Sequence, residues 1–207
     1  MEPSDLIISH YCLIRNRRII LNGQNLIEEE TKSDLGQFLS SVYKTFGAEY
    51  SKFYKMDTLS KLGFLTSEFL TDFGSVLKGY KDDDIAIVLT NSQSSLETDG
   101  RFLKTIADEE KFYPNPSLFG YTLPNILIGE MSIKYKMKGE SIFLISQQID
   151  FDLLKSYCNS IFENTGSKGV ITGWVDLDSN HNYESILYFI ENRSAAQADS
   201  DFWSFTV

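Results

Sequence analysis

The sequence is poor in cysteine, histidine and basic residues, and each shortage removes a class of function. Cys12 and Cys158 are the two cysteines, far apart and without CxxC spacing, which argues against a disulfide framework or a thiolate zinc site. An unpaired thiol packs as a small hydrophobe, so both are read as structural. His10 and His181 have no second His or Cys at metal-ligand spacing and are expected at the surface; no metal and no cofactor is expected. Basic residues number 19 against 29 acidic ones, a net charge of −10, so a nucleic acid would be repelled by the field of the whole molecule. The short basic runs, Arg15 with Arg17 and Arg18 and Lys134 with Lys136 and Lys138, are too local to reverse this. "IKYKMK" alternates, which reads as one exposed face of an extended segment. No apolar run approaches the roughly 20 residues that cross a bilayer. The start, with Glu2 and Asp5, lacks a basic-then-apolar signal pattern. A soluble, cytoplasmic protein is expected, with no membrane or nucleic-acid partner.

What is present is enough apolar and aromatic side chain, 42% and 14% of 207 residues, for one packed core without division into several domains. Residues 6–21 suggest one or two short strands, followed by a turn at "NGQN". The acidic Glu28, Glu29 and Glu30 read as a solvated patch. Leu35, Phe38, Leu39, Val42 and Phe46 recur at three and four, the period of a helix. A second helical stripe, Leu59, Leu62, Thr66, Phe69, Leu70 and Phe73, follows Asp57 as its N-cap, with Gly79 as its stop. Ile85 to Leu89 is a short unbroken apolar run, expected of a strand covered on both faces. A helix is expected over about Leu96 to Glu109. "FYPNPSLFGYTLPN" reads as a loop, because proline cannot donate within a ladder or helix. "NILIGEMSIKYK" reads as a helix whose Gly129 suggests close backbone approach. "SIFLIS", Ser141 to Ser146, is a strand. A helix follows with Leu153, Leu154, Tyr157, Cys158, Ile161 and Phe162 on one face, ending at Gly166. "GVITGWVDL" is a further strand and "YESILYFIENR" a last strand or short helix. Residues 194–207 read as a tail, with Trp203 and Phe205 hinting that it docks. Alternating helices and apolar strands give an α/β fold with a mostly parallel mixed sheet covered by helices on both faces.

The stretches "YKMDTLSKLGFLTSEFL", "DIAIVLTNSQSSLETDGRFLKTI", "PNPSLFGYTLPNILIGEMSIKYKMKGESIFLIS" and "GVITGWVD" resemble the N-terminal half of the β-ketoacyl synthase family, over about residues 50 to 178. The resemblance implies a thiolase-like half-fold, with residues 1–193 as a single domain. It also places the family's nucleophilic cysteine at Gln148; a slip of one residue would place it at Gln147. Neither amide can form a thiolate or hold an acyl thioester. Cys158 lies inside the following helix, away from the N-terminal end that activates such a nucleophile. The family's two histidines and glycine-rich segment belong to a second half that the resemblance does not reach, so donors to a developing oxyanion are not matched either.

Two readings of Gln148 stay open: a position kept on an inherited scaffold, or a polar cap at a helix start. Glutamine at this position resembles the chain-length-factor subunits that pair with active synthases. The implied function is a non-catalytic accessory subunit of bacterial fatty-acid, polyketide or aryl-polyene-type biosynthesis. By the same resemblance Ser141, Ile142, Phe143, Leu144, Ile145 and Ser146 form a dimer seam, with a copy of the chain or with a synthase. A stand-alone module binding an acyl chain or small molecule is the alternative, with Phe112, Phe119 and Tyr121 as groove residues. A hydrolase using Ser146 is a third, but it lacks a G-x-S-x-G elbow and a nearby His. Carrier proteins are acidic, so a chain of −10 is expected to meet one only indirectly.

Overall fold

The structure is a computed structural model that describes residues 6–29, 34–47 and 49–192. The tail with Trp203 and Phe205 lies outside the described residues. Seven strands form one sheet: β1 (Leu6–Arg15), β2 (Arg18–Leu21), β3 (Gln24–Glu28), β4 (Ile85–Asn91), β5 (Ser141–Ile145), β6 (Gly169–Leu177) and β7 (Tyr183–Asn192). Their order is β3-β2-β1-β7-β6-β4-β5. Six helices accompany them: α1 (Leu35–Thr45), α2 (Thr58–Leu70), α3 (Leu96–Leu103), α4 (Pro116–Gly120), α5 (Ile126–Tyr135) and α6 (Phe151–Asn164).

The apolar run at Ile85 makes the strand its composition called for, buried at every position. It pairs in parallel with β5 on one side and β6 on the other. These parallel pairs are joined through helices, as a crossover requires. The remaining four pairs, β1 with β2, β2 with β3, β1 with β7 and β6 with β7, are antiparallel. The expectation of a mostly parallel sheet is therefore corrected. The cause is local: tight turns rather than helices join these strands in sequence. Asn16 and Arg17 (φ 50° and 57°) and Asn22 and Gly23 (φ 49° and 82°) supply two positive-φ turns, the geometry that matches the twist of a two-residue hairpin.

Alternation along the strands divides the core between two faces. Ile87, Leu89, Ile171, Val175 and Leu187 face Phe38 and Leu39 of α1, Leu62, Leu65 and Phe69 of α2, and Leu127 and Met131 of α5. Ala86, Val88, Val170, Trp174, Ile186 and Tyr188 face Leu154, Cys158 and Ile161 of α6. Helices thus cover both faces, as expected. α2 starts where Asp57 Oδ1 accepts from Ser60 N at 2.9 Å and is buried nearly all round. Each fully buried leucine there contributes roughly 1.5–3 kcal/mol relative to exposure. Gly63 lets α2 approach, since a Cβ would overlap Leu127. In β6, Gly173 has φ 148° and lies against the Ile186 carbonyl, a conformation and a clearance that a side chain lacks.

Other expectations need correction. α2 ends at Leu70 rather than running to Gly79, and α3 ends at Leu103. The proline-containing stretch holds the short α4, with Pro116 in its first turn and Asn115 Oδ1 accepting from Leu118 N at 3.0 Å. Proline is tolerated there because its missing N–H has no helical partner to lose. Lys134 to Lys138 are not an extended segment: Lys134 is helical, and Lys136, with φ 58°, caps α5. Gly129 has no close neighbour for a Cβ to meet. Residues 24–28, left partly as a solvated patch, form the edge strand β3. The segment from Tyr183 is a strand.

Candidate functional site

The carboxyl ends of the parallel strands gather the residues singled out around Gln148. Ser92 follows β4, Gln147, Gln148 and Ile149 follow β5, and Trp174 and Asp176 end β6. Asp178, His181 and Asn182 come from the β6–β7 turn, and Arg15, Asn16, Tyr183 and Glu184 from β1 and β7. Together they line one pocket of about 570 Å³. The chain runs from β4 to β5 on one side and then crosses back to β6 on the other. A crevice at such a switch of direction is where ligands bind in open α/β sheets.

Hydrogen bonds fix the walls. Asp176 accepts from Ser92 N and Gln93 N, both at 3.1 Å, and from Ser92 Oγ at 2.6 Å. Asp178 accepts from Asn182 Nδ2 at 2.7 Å, Asn182 N at 2.9 Å and Asn180 N at 2.8 Å. The Asn182 side chain, then the two backbone N–H groups and neighbouring His181, hold the Asp178 carboxyl below the usual carboxylate range. Glu184 meets Arg15 at 3.0 Å. Tyr183 Oη accepts from Arg17 N at 2.8 Å.

Gln148 is exposed, in the turn between β5 and α6. It is not the helix cap: Asp150 is, with its side chain accepting from Leu153 N at 2.9 Å. Neither cysteine replaces a nucleophile here. Both are buried, and burial pushes the Cys158 thiol up to about 12, against a smaller opposing pull from Thr172. Burial raises the Cys12 thiol as well. Ser146 donates to the Gln148 carbonyl at 2.7 Å, so its hydroxyl closes the turn rather than waiting on a base. His181 is at the surface as expected, but it also lines the pocket, a role its spacing in the sequence did not signal. The run of Asp176, Asp178 and His181 just past a strand end was the available clue. His10 is only half-exposed, on β1, and its Nδ1 is buried without a partner among the described residues. No group of three or more His, Cys, Asp or Glu among the described residues is placed to hold a metal ion.

Phe112, Phe119 and Tyr121 do not line this pocket. Phe112 and Phe119 are more than half exposed, and Phe119 lies 5.3 Å from the Phe102 ring. Tyr121 turns inward and donates to Glu130 at 3.2 Å. β5 ends the sheet, with Ile145 55% exposed. A second hollow of about 470 Å³ runs beside it, between Pro124, Ile128, Gly129 and Ser132 of the α5 segment and Ser141 to Phe143.

No protein-family model matches the sequence, and no curated protein matches it. Solved structures do. A chain of the ketosynthase (ApeO) complex with its chain length factor (ApeC) from Xenorhabdus doucetiae superposes with TM-score 0.60 at 15% identity, over 92% of this chain and 80% of that one. The ishigamide ketosynthase/chain length factor gives 0.65 at 14%, over 93% and 63%. A β-ketoacyl synthase from Burkholderia phymatum gives 0.60 at 8%, over 92% and 59%. This chain thus spans less than two thirds of the latter two. The likeness is one of architecture: the chain has the thiolase-like fold found in ketosynthases and chain length factors.

Proposed function

We propose that this chain is a non-catalytic, chain-length-factor-type partner subunit that docks on a β-ketoacyl synthase through β5. The observation that carries the reading is the contrast between the two sheet edges. The outer strand β3 bears Gln24, Asn25 and Glu28, and Glu28 is paired with Arg18; charge of this kind blunts an edge. β5, Ser141–Ile145, bears no charge and leaves a row of backbone donors and acceptors unpaired among the described residues. Exposed Leu103, Phe112, Tyr113, Phe119 and Leu123 lie on the segment that runs into the hollow beside it at Pro124. A contiguous apolar surface of this kind marks an interaction site. The architecture shared with chains of ketosynthase/chain length factor complexes supports a synthase as the partner. Gln148 and the two high-pKa thiols support a subunit without its own condensation chemistry. The process would be bacterial fatty-acid, polyketide or aryl-polyene-type biosynthesis, with a carrier protein met through the partner. The stand-alone acyl-binding reading fits less well, because the pocket beside Gln148 is polar.

The test is an Ile145→Lys variant, chosen because Ile145 is exposed and its loss leaves the core intact. Light scattering is expected to show a wild-type assembly, alone or with a co-expressed synthase, and a monomer for the variant at an unchanged melting temperature. Phe143→Lys provides a second disruption at the strand centre. An assembly mass indifferent to both, or a wild type monomeric in both settings, would remove the proposal.

A further inference from the structure

We infer that the pocket beside Gln148 binds a neutral polyhydroxylated ligand, of the sugar or cyclitol class. This stands apart from the pairing at β5 and does not depend on it. The walls exclude the other classes in turn. An anion meets Asp176, Asp178 and Glu184 on a chain of net charge −10, and the cation lining the pocket, Arg15, is already paired with Glu184 at 3.0 Å. An organic cation finds the carboxylates engaged, since Asp176 and Asp178 accept three hydrogen bonds each. An acyl chain finds few apolar partners beyond Ile149 and the indole of Trp174.

What remains available is neutral hydrogen-bonding capacity. The side-chain amides of Gln147 and Gln148 and the imidazole of His181 form no hydrogen bond to the described residues, and all three line the pocket. An amide both donates and accepts, and a carboxylate with engaged charge still has lone pairs for another donor. A hydroxyl, donor and acceptor at once, matches this mixture better than an ion or a hydrocarbon does. A volume of about 570 Å³ admits a ring of hexose size.

Trp174 provides the readout. The chain has two tryptophans, and Trp203→Phe leaves Trp174 as the sole indole. In that background, glucose and myo-inositol are titrated while indole fluorescence is followed, with glucose 6-phosphate and hexanoate as the charged and acyl comparisons. At least one neutral polyol is expected to give a saturable change below about 50 mM, where a millimolar site is filled. Glucose 6-phosphate is expected to bind about tenfold more weakly or not at all, because like charges oppose it. Gln148→Ala and His181→Ala, both exposed positions, are expected to weaken the polyol response at unchanged melting temperature. The inference is overturned if neither polyol saturates, if the phosphate or hexanoate binds as well, or if both alanine variants respond as the parent does.

Discussion

Glu68 is the least solvated carboxylate among the described residues, fully buried in α2. Its Oε1 accepts from Tyr135 Oη at 2.6 Å, while its Oε2 has no partner among the described residues. Burial raises its pKa, against smaller pulls from Tyr135 and Lys134. Asp57 is raised for the same leading reason. A carboxyl whose folded pKa exceeds its unfolded value, about 4.3 for glutamate, holds its proton more tightly in the folded chain. The stability this confers is present below the unfolded value and is lost as pH rises through the folded one. The exposed Asp82, Asp84 and Asp178 are shifted down; what they contribute is lost instead in acid, as pH falls through their folded values. Urea midpoints are therefore expected to decline on both sides of a maximum. Glu68→Gln, which keeps the shape and removes the charge, should flatten the decline on the alkaline side and leave the acid limb as it was. An alkaline limb identical in the two proteins would mean that Glu68 does not titrate there.

At the scale of elements, α2 depends on its glycine. A methyl at Gly63 would overlap Leu127 of α5 and touch Val175 of β6, and overpacking of this kind costs about 1–3 kcal/mol. Gly63→Ala is expected to lower the melting temperature by roughly 2–4 °C per kcal/mol lost in a chain of this size, as calorimetry would record. An unchanged or raised melting temperature would show that Leu127 yields at no cost. The same element was among the most legible in the sequence, since Asp57 and the apolar stripe from Leu59 announce a capped helix. β4 was equally plain. β3 was not, because Gln24, Asn25 and Glu28 leave one face with little apolar signal, and an edge strand needs little. The antiparallel half escaped for another reason. Composition shows that a segment is extended, but direction depends on turns, and those at Asn16 and 178–182 are short polar runs resembling any surface loop. The pocket was half legible: Gln148 was picked out by its place after a strand. His181 was not, since only the β6–β7 turn brings it across.

Over the whole molecule, charge and apolar surface are separated in a way that bears on assembly. The net charge is −10, yet β5 and the exposed aromatics of the 103–123 segment carry the unpaired apolar area. Contacts made by burial do not weaken when ions are added, whereas contacts between exposed charges do. Raising sodium chloride from about 0.05 to about 0.5 M, where screening shortens to a few ångströms, should leave the mass of any assembly unchanged or larger. Dissociation by salt would instead place the contact on the charged surface.

The sheet joins the beginning of the described chain to its end: Leu6 lies opposite Asn192 and Ile8 opposite Ile190. β1 and β7 therefore meet only after everything between them has been synthesised, and the hairpins of β1 to β3 have no sheet to join until then. Contacts this distant in sequence make for slow closure. On the ribosome the N-terminal strands must wait in a half-assembled state, and a chain broken off before Tyr183 would leave them without a neighbour. Late release of β7, rather than any step near the pocket, is thus the point in biosynthesis at which this protein is most exposed to chaperones and proteases.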